Sequence, residues 1–307
     1  MSNDRDGRRG VAPSSCGSYG GAMTSILILT PDPNDRDFHS RWREVLEQLS
    51  ATLERAGLRV CSRSWAEPGL PQADLVMPLL VWGYHRAGSD WHDAVTRWEA
   101  AGVRLANPAP VLRWNADKLY LKRLAEAGAP VAPALFADRL SPELMREAAE
   151  LFGSERLVAK PQVSASAWQT IRWSAGQPLD EGPAGAAIVQ PYLPAIEQEG
   201  EISLIFCGGR FSHAIRKRPQ PGDFRVQPEY AGIITRHEPA PDELAAAQAV
   251  LARVEEALLY ARVDLVRDRG GIPVLMELEL VEPDLYLGYD AGRGAAFAEA
   301  VRAASSS

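Results

Sequence analysis

Between residues 25 and 106 the chain alternates short apolar runs with longer stretches whose apolar residues recur every three or four positions. Ser25 to Leu29 is nearly all apolar and stops at Thr30-Pro31-Asp32-Pro33, which predicts a strand and then a turn. From Phe38 to Ala56, residues Trp42, Val45, Leu46, Leu49 and Leu53 fall on one helical face, and Gly57 stands where helices commonly end. Leu58 to Cys61 and Asp74 to Val81 read as two further strands. Trp91 to Ala101 reads as a helix that stops at Gly102, ahead of a last strand over Val103 to Ala106 and then Asn107-Pro108. Strands alternating with helices predict a parallel sheet with crossover helices. This α/β domain is assigned to residues 23–112.

The pattern then changes. Asp117 to Ala127 is helical, Leu157 to Pro161 and Ile188 to Tyr192 are strands, and Ile202 to Phe206 with Phe211 to Lys217 form a hairpin about Gly208-Gly209. An Ala-rich helix is expected over Pro241 to Ala261. Val263 to Val266 and Val274 to Leu280 then pair around Arg269-Gly270-Gly271. Hairpins mixed with helices make this second part α+β.

The full chain has 307 residues, 46% of them hydrophobic, which is enough for two domains with their own cores. Its net charge of −7 is the wrong footprint for a general nucleic-acid binder. Cys16, Cys61 and Cys207 form no Cys-x-x-Cys pair, and His85 and His92 lack metal spacing. No apolar run reaches the roughly 18–20 residues of a membrane helix. Residues 1–22 are Gly/Ser-rich without a signal-peptide core, and are read as a disordered extension. These features predict a soluble cytoplasmic protein with neither membrane nor nucleic-acid partners.

The densest chemistry lies in Arg262-Val263-Asp264 and Glu277-Leu278-Glu279. Side chains alternate along a strand, so pairing of these segments would gather three carboxylates and a guanidinium on one face. Three such acids repel unless a cation sits among them, and magnesium favours a few carboxylate oxygens completed by phosphates and water. An edge hairpin with a solvated charged face fits the same pattern. Lys160 ends an apolar strand, where a charge calls for an anionic partner. Lys118 stands at the start of the expected helix, against the helix dipole, so that an external anion would relieve it. Ser164-Ala165-Ser166-Ala167 is a run of small residues whose backbone can approach phosphates, although no Walker sequence follows.

In this order, these segments resemble the ATP-grasp superfamily over nearly all of Met23 to Ala304. The resemblance implies a two-lobed ATP-grasp domain at 113–304, with lobes of about 113–190 and 191–304, behind the α/β domain. It implies that Lys118, Lys160, Ser164 and Ser166 bind ATP, with Gln190, Tyr192 and Leu193 at the adenine hinge and Glu201 on the ribose. Lys217 and Arg225 would face the triphosphate and Arg262 would steady the transferred phosphoryl group. Asp264, Glu277 and Glu279 would hold magnesium, two ions by family habit, with manganese able to substitute. The family usually has Glu-x-Asn where this chain has Glu277-Leu278-Glu279, and Glu282 competes as a ligand in the same turn.

Arg113-Trp114-Asn115-Ala116-Asp117-Lys118 and Lys160-Pro161-Gln162-Val163-Ser164 are most similar to the glutathione-synthetase-type branch that includes the D-cycloserine synthetases. What this implies is a ligase that activates a carboxylate as an acyl phosphate for attack by an amine, with ring closure of O-ureido-D-serine as one form. The substrate is expected to be small and amino-acid-like, with Tyr84 or His85 closing over it. Alternatively Trp82 and Trp91 only anchor that loop. Asp223 to Gly232 reads as either a lid or a passive loop. Two other functions stay open: a peptide or protein-tail ligase of the glutamyl-ligase type, and a nucleotide-binding regulatory protein without turnover. Against the tail ligase, the chain has no obvious basic docking surface and carries Ser203 where that relative has an arginine. A homodimer is compatible with the family, but no interface signal is legible.

Overall fold

The computed structural model describes residues 23–32, 41–165, 167–220 and 232–306. Its first layer is a three-stranded parallel sheet in the order β2 (Arg59–Ser64), β1 (Ser25–Thr30), β3 (Leu75–Met77). All six residues of β1 are buried, as a central parallel strand covered on both faces requires. Helix α1 (Arg41–Arg55) covers one face through Val45, Leu49, Thr52 and Leu53, and α2 (Gly88–Ala100) buries Trp91, Ala94, Val95 and Trp98 against the other.

Two expectations shorten here. The strand expected over Asp74 to Val81 is ladder only at Leu75–Met77, because Pro78 has no N–H to donate, although Leu79 to Val81 stay buried. The strand expected at Val103 to Ala106 is a single bridge from Leu105 to Val76, since β3 offers so little edge.

Next come two short helices, α3 (Ala109–Asn115) and α4 (Tyr120–Glu126), instead of one helix starting at Asp117. A four-stranded antiparallel sheet follows, in the order β4 (Leu135–Ala137), β7 (Ala187–Pro191), β5 (Arg156–Pro161), β6 (Ile171–Ser174). It is backed by α5 (Pro142–Phe152), with Met145 and Ala148 in its core. Short helix α6 (Ala195–Gln198) leads to the five-stranded antiparallel sheet β10-β9-β8-β11-β12. Its strands are β8 (Glu201–Cys207), β9 (Arg210–Arg218), β10 (Ile233–His237), β11 (Tyr260–Arg267) and β12 (Pro273–Glu279).

Helix α7 (Pro241–Leu251) stops ten residues short of the expected end at Ala261. Tyr260 and Ala261 are claimed instead by β11, which runs in the middle of the sheet between β8 and β12. The chain closes with α8 (Ala295–Ser306), whose Phe297, Ala298 and Val301 join the same core as Ile26, Ile28 and Leu53 of the first layer. Fully buried Asn107 ties that layer to the last sheet. Its amide donates to the carbonyls of Tyr260 (2.9 Å) and Leu280 (2.8 Å) and accepts from Leu259 N–H (2.8 Å).

Candidate active site

A cavity opens where the two antiparallel sheets and the Trp82-Gly83 turn of the first layer meet. Pairing in the last sheet builds its charged floor. Arg262 lies opposite Glu279 and Asp264 opposite Glu277, Ser203 of β8 stands across from Asp264, and Glu201 is across from Lys217. The expected pairing of the acid-bearing strands is thus the one observed, with a bulge just after Asp264.

Each of these acids is met by a cation. Arg262 Nε donates to Asp264 Oδ1 at 3.0 Å, and Nη2 donates to Asp264 Oδ2 at 2.9 Å and to Glu279. Lys217 Nζ lies 2.5 Å from Glu201 and 3.3 Å from Asp264, and Ser203 Oγ donates to Asp264 at 2.5 Å. Across the cavity, Lys160 Nζ donates to Glu277 Oε1 at 3.0 Å, with Lys118 Nζ at 3.8 Å from the same oxygen.

These pairings set the protonation states. Burial favours the neutral form of Glu277, but Lys118 and Lys160 override it and hold the carboxyl at about 2. Burial likewise opposes the charge on Asp264, yet Arg262 and Lys217 keep its pKa below the ordinary value. Lys217 is desolvated, but Asp264 and Glu201 hold it firmly protonated. Glu279 goes the other way: burial, with Asp264 and Glu277 adding to it against Arg262, pushes it up to about 7. Glu282 is pushed up to about 8 by burial and by Glu279.

The positions are fixed from behind. β12 is an edge strand, and Asn115 completes it as a neighbouring strand would, donating to Leu278 O and accepting from Leu280 N–H, both at 2.8 Å. Leu278 N–H also donates to the Tyr120 hydroxyl at 3.0 Å. Glu277 and Glu279 therefore sit on a strand held at both edges. Lys118 rides in the turn between α3 and α4 rather than on a helix, with its backbone N–H bonded to Gln162 O at 3.0 Å. Its ammonium donates to Ser164 O, so its charge is compensated without a helix dipole entering the account.

The roof comes from β5 and β7, where Val158 pairs with Gln190 and Lys160 with Ile188. Val158, Lys160, Gln190, Tyr192 and Leu193 all line the cavity, as does Ser164 from the small-residue loop. Gln190 is 1% exposed, and neither its Oε1 nor its Nε2 has a hydrogen-bond partner. A buried amide left in that condition costs about 1–3 kcal/mol, which a bound donor–acceptor edge would recover.

Of the remaining expected residues, Tyr84 and His85 do not line the cavity. Tyr84 is 5% exposed, packed 5.0 Å from the Trp91 ring, and His85 lies 5.9 Å from the ring of Trp168. Trp82 and Gly83 of the same turn do line it. Ser166, Arg225 and residues 223–231 of the suggested lid fall outside the described residues. Cys207 is buried and its thiol is raised to about 12 by desolvation, as suits a core residue.

Among the described residues no three Asp, Glu, His or Cys side chains converge closely enough to hold a metal by themselves, and Asp264 is enclosed by Arg262, Lys217 and Ser203.

Sequence reasoning gave no role to Arg41, whose Nη2 meets Asp284 at 2.5 Å, or to Tyr286, whose ring lies 5.6 Å from the Arg262 guanidinium. Asp284 and Tyr286 were within reach of it, in the segment after the acid pair. Arg41 lies 243 positions from Asp284 and carried no local signal.

Comparison with known proteins agrees with this architecture. Residues 26–107 match the family model described as the D-cycloserine synthetase DcsG N-terminal domain. The chain is 31% identical over 217 residues to the cycloserine biosynthesis protein DcsG of Streptomyces lavendulae, covering 65% of this chain and 73% of that one. The crystal structure of D-cycloserine synthetase DcsG superposes with a TM-score of 0.76 at 24% identity, over 92% of this chain and 99% of the other. The ATP-grasp ligase PsnB, solved with a phosphomimetic variant of its minimal precursor, Mg and ADP, superposes at 0.63 with 17% identity, covering 92% and 99%.

Fold and cavity together are those of an ATP-grasp enzyme; the chain belongs to this family of ATP-dependent, carbon–nitrogen bond-forming ligases. Within the family, the protein it resembles is D-cycloserine synthetase. No described helix is long and apolar enough to cross a membrane.

Proposed function

We propose that the cavity binds ATP beside a small amino-acid-like carboxylate, phosphorylates that carboxylate and delivers the acyl phosphate to an amine. The observation that carries this reading is the facing of Lys118 and Lys160 on one wall against Arg262 and Lys217 on the other, with the unpartnered Gln190 amide beyond. Gln190 can offer one donor and one acceptor to the amino and ring nitrogens of adenine, with the 191–193 backbone beside it. Lys118, Lys160 and the Ser164 segment suit the phosphates, and Glu201 the ribose.

The steps need no protein nucleophile. A substrate carboxylate oxygen forms a bond to the γ-phosphorus as the bond to the β-phosphate oxygen breaks, releasing ADP. The amine nitrogen then bonds to the carbonyl carbon, phosphate leaves, and the amine sheds a proton. Negative charge grows on the transferred phosphoryl oxygens, and Arg262 and Lys217 are already in place to meet it without reorganisation.

Magnesium, the ion in the PsnB complex, fits Glu277 and Glu279 with phosphate oxygens completing its shell, and would neutralise the polyphosphate there. With no complete ligand set in the protein alone, the metal is expected to enter with the nucleotide. Two ions, or manganese in their place, remain compatible with that donor set.

Ring closure as in D-cycloserine formation is favoured over joining two molecules by the likeness to DcsG. Phosphate release with ATP and magnesium, screened over amino acids singly and then in pairs with O-ureido-D-serine included, tests this. Release from one compound with a mass change matching cyclisation supports a cyclo-ligase. Release only with pairs would convert the reading to intermolecular ligation.

A further inference from the structure

The charges lining the cavity can be counted acid by acid. Glu201 has Lys217, Asp264 has Arg262 and Lys217, Glu277 has Lys118 and Lys160, Glu279 has Arg262, and Asp284 has Arg41. Glu282 lines the same cavity; its carboxyl accepts from its own backbone N–H, and among the described residues it forms no ion pair and no hydrogen bond with another residue. Lys118 and Arg262 act on it only through space, each already engaged elsewhere.

The position is built rather than incidental. Trp82 Nε1 donates to the Glu282 carbonyl at 3.4 Å, Pro283 stiffens the next peptide, and Trp82 itself forms part of the wall. A carboxyl fixed in a partly dehydrated cavity without a cation leaves a charge-assisted bond unmade, one that a bound ammonium would supply while holding Glu282 in its charged form.

We infer that Glu282 is the anchor for the ammonium group of the amino-acid-like substrate. The inference rests on the ligase reading above and specifies how that substrate is held. A phosphate would find no cation of its own at this spot, since Lys118 and Arg262 are engaged with Glu277, Asp264 and Glu279. A metal would have to draw on the neighbouring acids Glu279 and Asp284, which are held by Arg262 and Arg41, and the magnesium half-saturation measured below separates that case from an ammonium anchor. A primary ammonium carries one charge and three donors, and one carboxylate suffices to hold it.

A chemical consequence follows for the reaction. A nitrogen kept protonated against Glu282 has no lone pair for attack on an acyl phosphate. The amine that closes the bond is therefore a different nitrogen, either on the substrate's own side chain or on a second molecule. The 2-hydroxy counterpart of the substrate, which cannot form the ion pair, is rejected.

The test uses the full chain and ADP release, with amino acids and their matched 2-hydroxy acids as probes. Glu282→Gln should raise KM for the amino acid about 10- to 100-fold. It should also narrow the preference over the hydroxy acid, and leave magnesium half-saturation and the thermal shift by Mg-ADP within about twofold. Glu282→Asp, which keeps the charge one methylene back, should lie between. A changed magnesium half-saturation at constant KM would make Glu282 a metal ligand and overturn the inference. So would an unaltered KM. If the wild-type chain releases ADP with no amino acid while still binding Mg-ADP, the ligase reading itself falls and the inference with it.

Discussion

At the β5/β7 end of the cavity, Lys118 and Lys160 share a single acid, Glu277, and among the described residues the buried amide of Gln190 is left without a partner. At the Trp82 end the pairing differs: Asp284 has Arg41, while Glu282 has no ion pair among the described residues. One end therefore has two lysines to one acid and the other an acid without an ion-paired cation, with Arg262 and Lys217 between them. On the proposed reading, a polyanion and an ammonium-bearing molecule would each complete one end, and their reacting groups would meet at the central cations. A protein that only bound nucleotide would need the first end alone.

The largest effect should come from breaking the middle. Arg262→Lys keeps the charge but loses the fork that reaches Asp264 and Glu279 together, and should lower kcat about 10²- to 10³-fold. Mg-ADP affinity should stay within about threefold; a variant that turns over normally would remove Arg262 from the phosphoryl transfer.

A smaller change should sharpen the nucleotide end. Gln190→Leu should weaken ATP about tenfold and narrow its lead over GTP, measured by competition binding, since an apolar side chain offers neither donor nor acceptor. An unchanged ATP/GTP ratio would place the adenine elsewhere. The smallest effect is expected at the substrate end: Tyr84→Phe should leave KM within about twofold, because the ring packs on Trp91 outside the cavity. A large rise in KM would return Tyr84 to the substrate.

What could be read from the sequence was mainly local. The hairpin at Gly208-Gly209 and the Arg262/Asp264 pairing with Glu277/Glu279 were legible because alternation along neighbouring strands fixes which side chains share a face. The extent of β3 and α7 was not, since apolar runs continue beyond Met77 and Leu251 and only tertiary partners end the ladder or helix.

Helix α5 went unassigned although its signals are present: Ser141 caps it by accepting from Leu144 N–H at 3.1 Å, and Gly153 closes it at φ 55°. β6, β10 and α8 were also unassigned, the two strands being short and mostly without clean alternation. In the site, sequence order brought together the lysines and acids. It could not show that Asp264 is enclosed, because that depends on Ser203 and Lys217 arriving from two other strands.

The shared core of α8 and the first sheet has a consequence for how the protein is made. Ile26, Ile28 and Leu53 leave the ribosome well before Phe297 and Val301, which pack in the same cluster. At about 5–20 residues per second, the roughly 190 residues between Leu105 and Ala295 take on the order of 10–40 s to synthesise. For that interval the nascent sheet lacks part of its cover. The segment matched by the family model, residues 26–107, is on this account a unit of inheritance whose folding is finished only by α8.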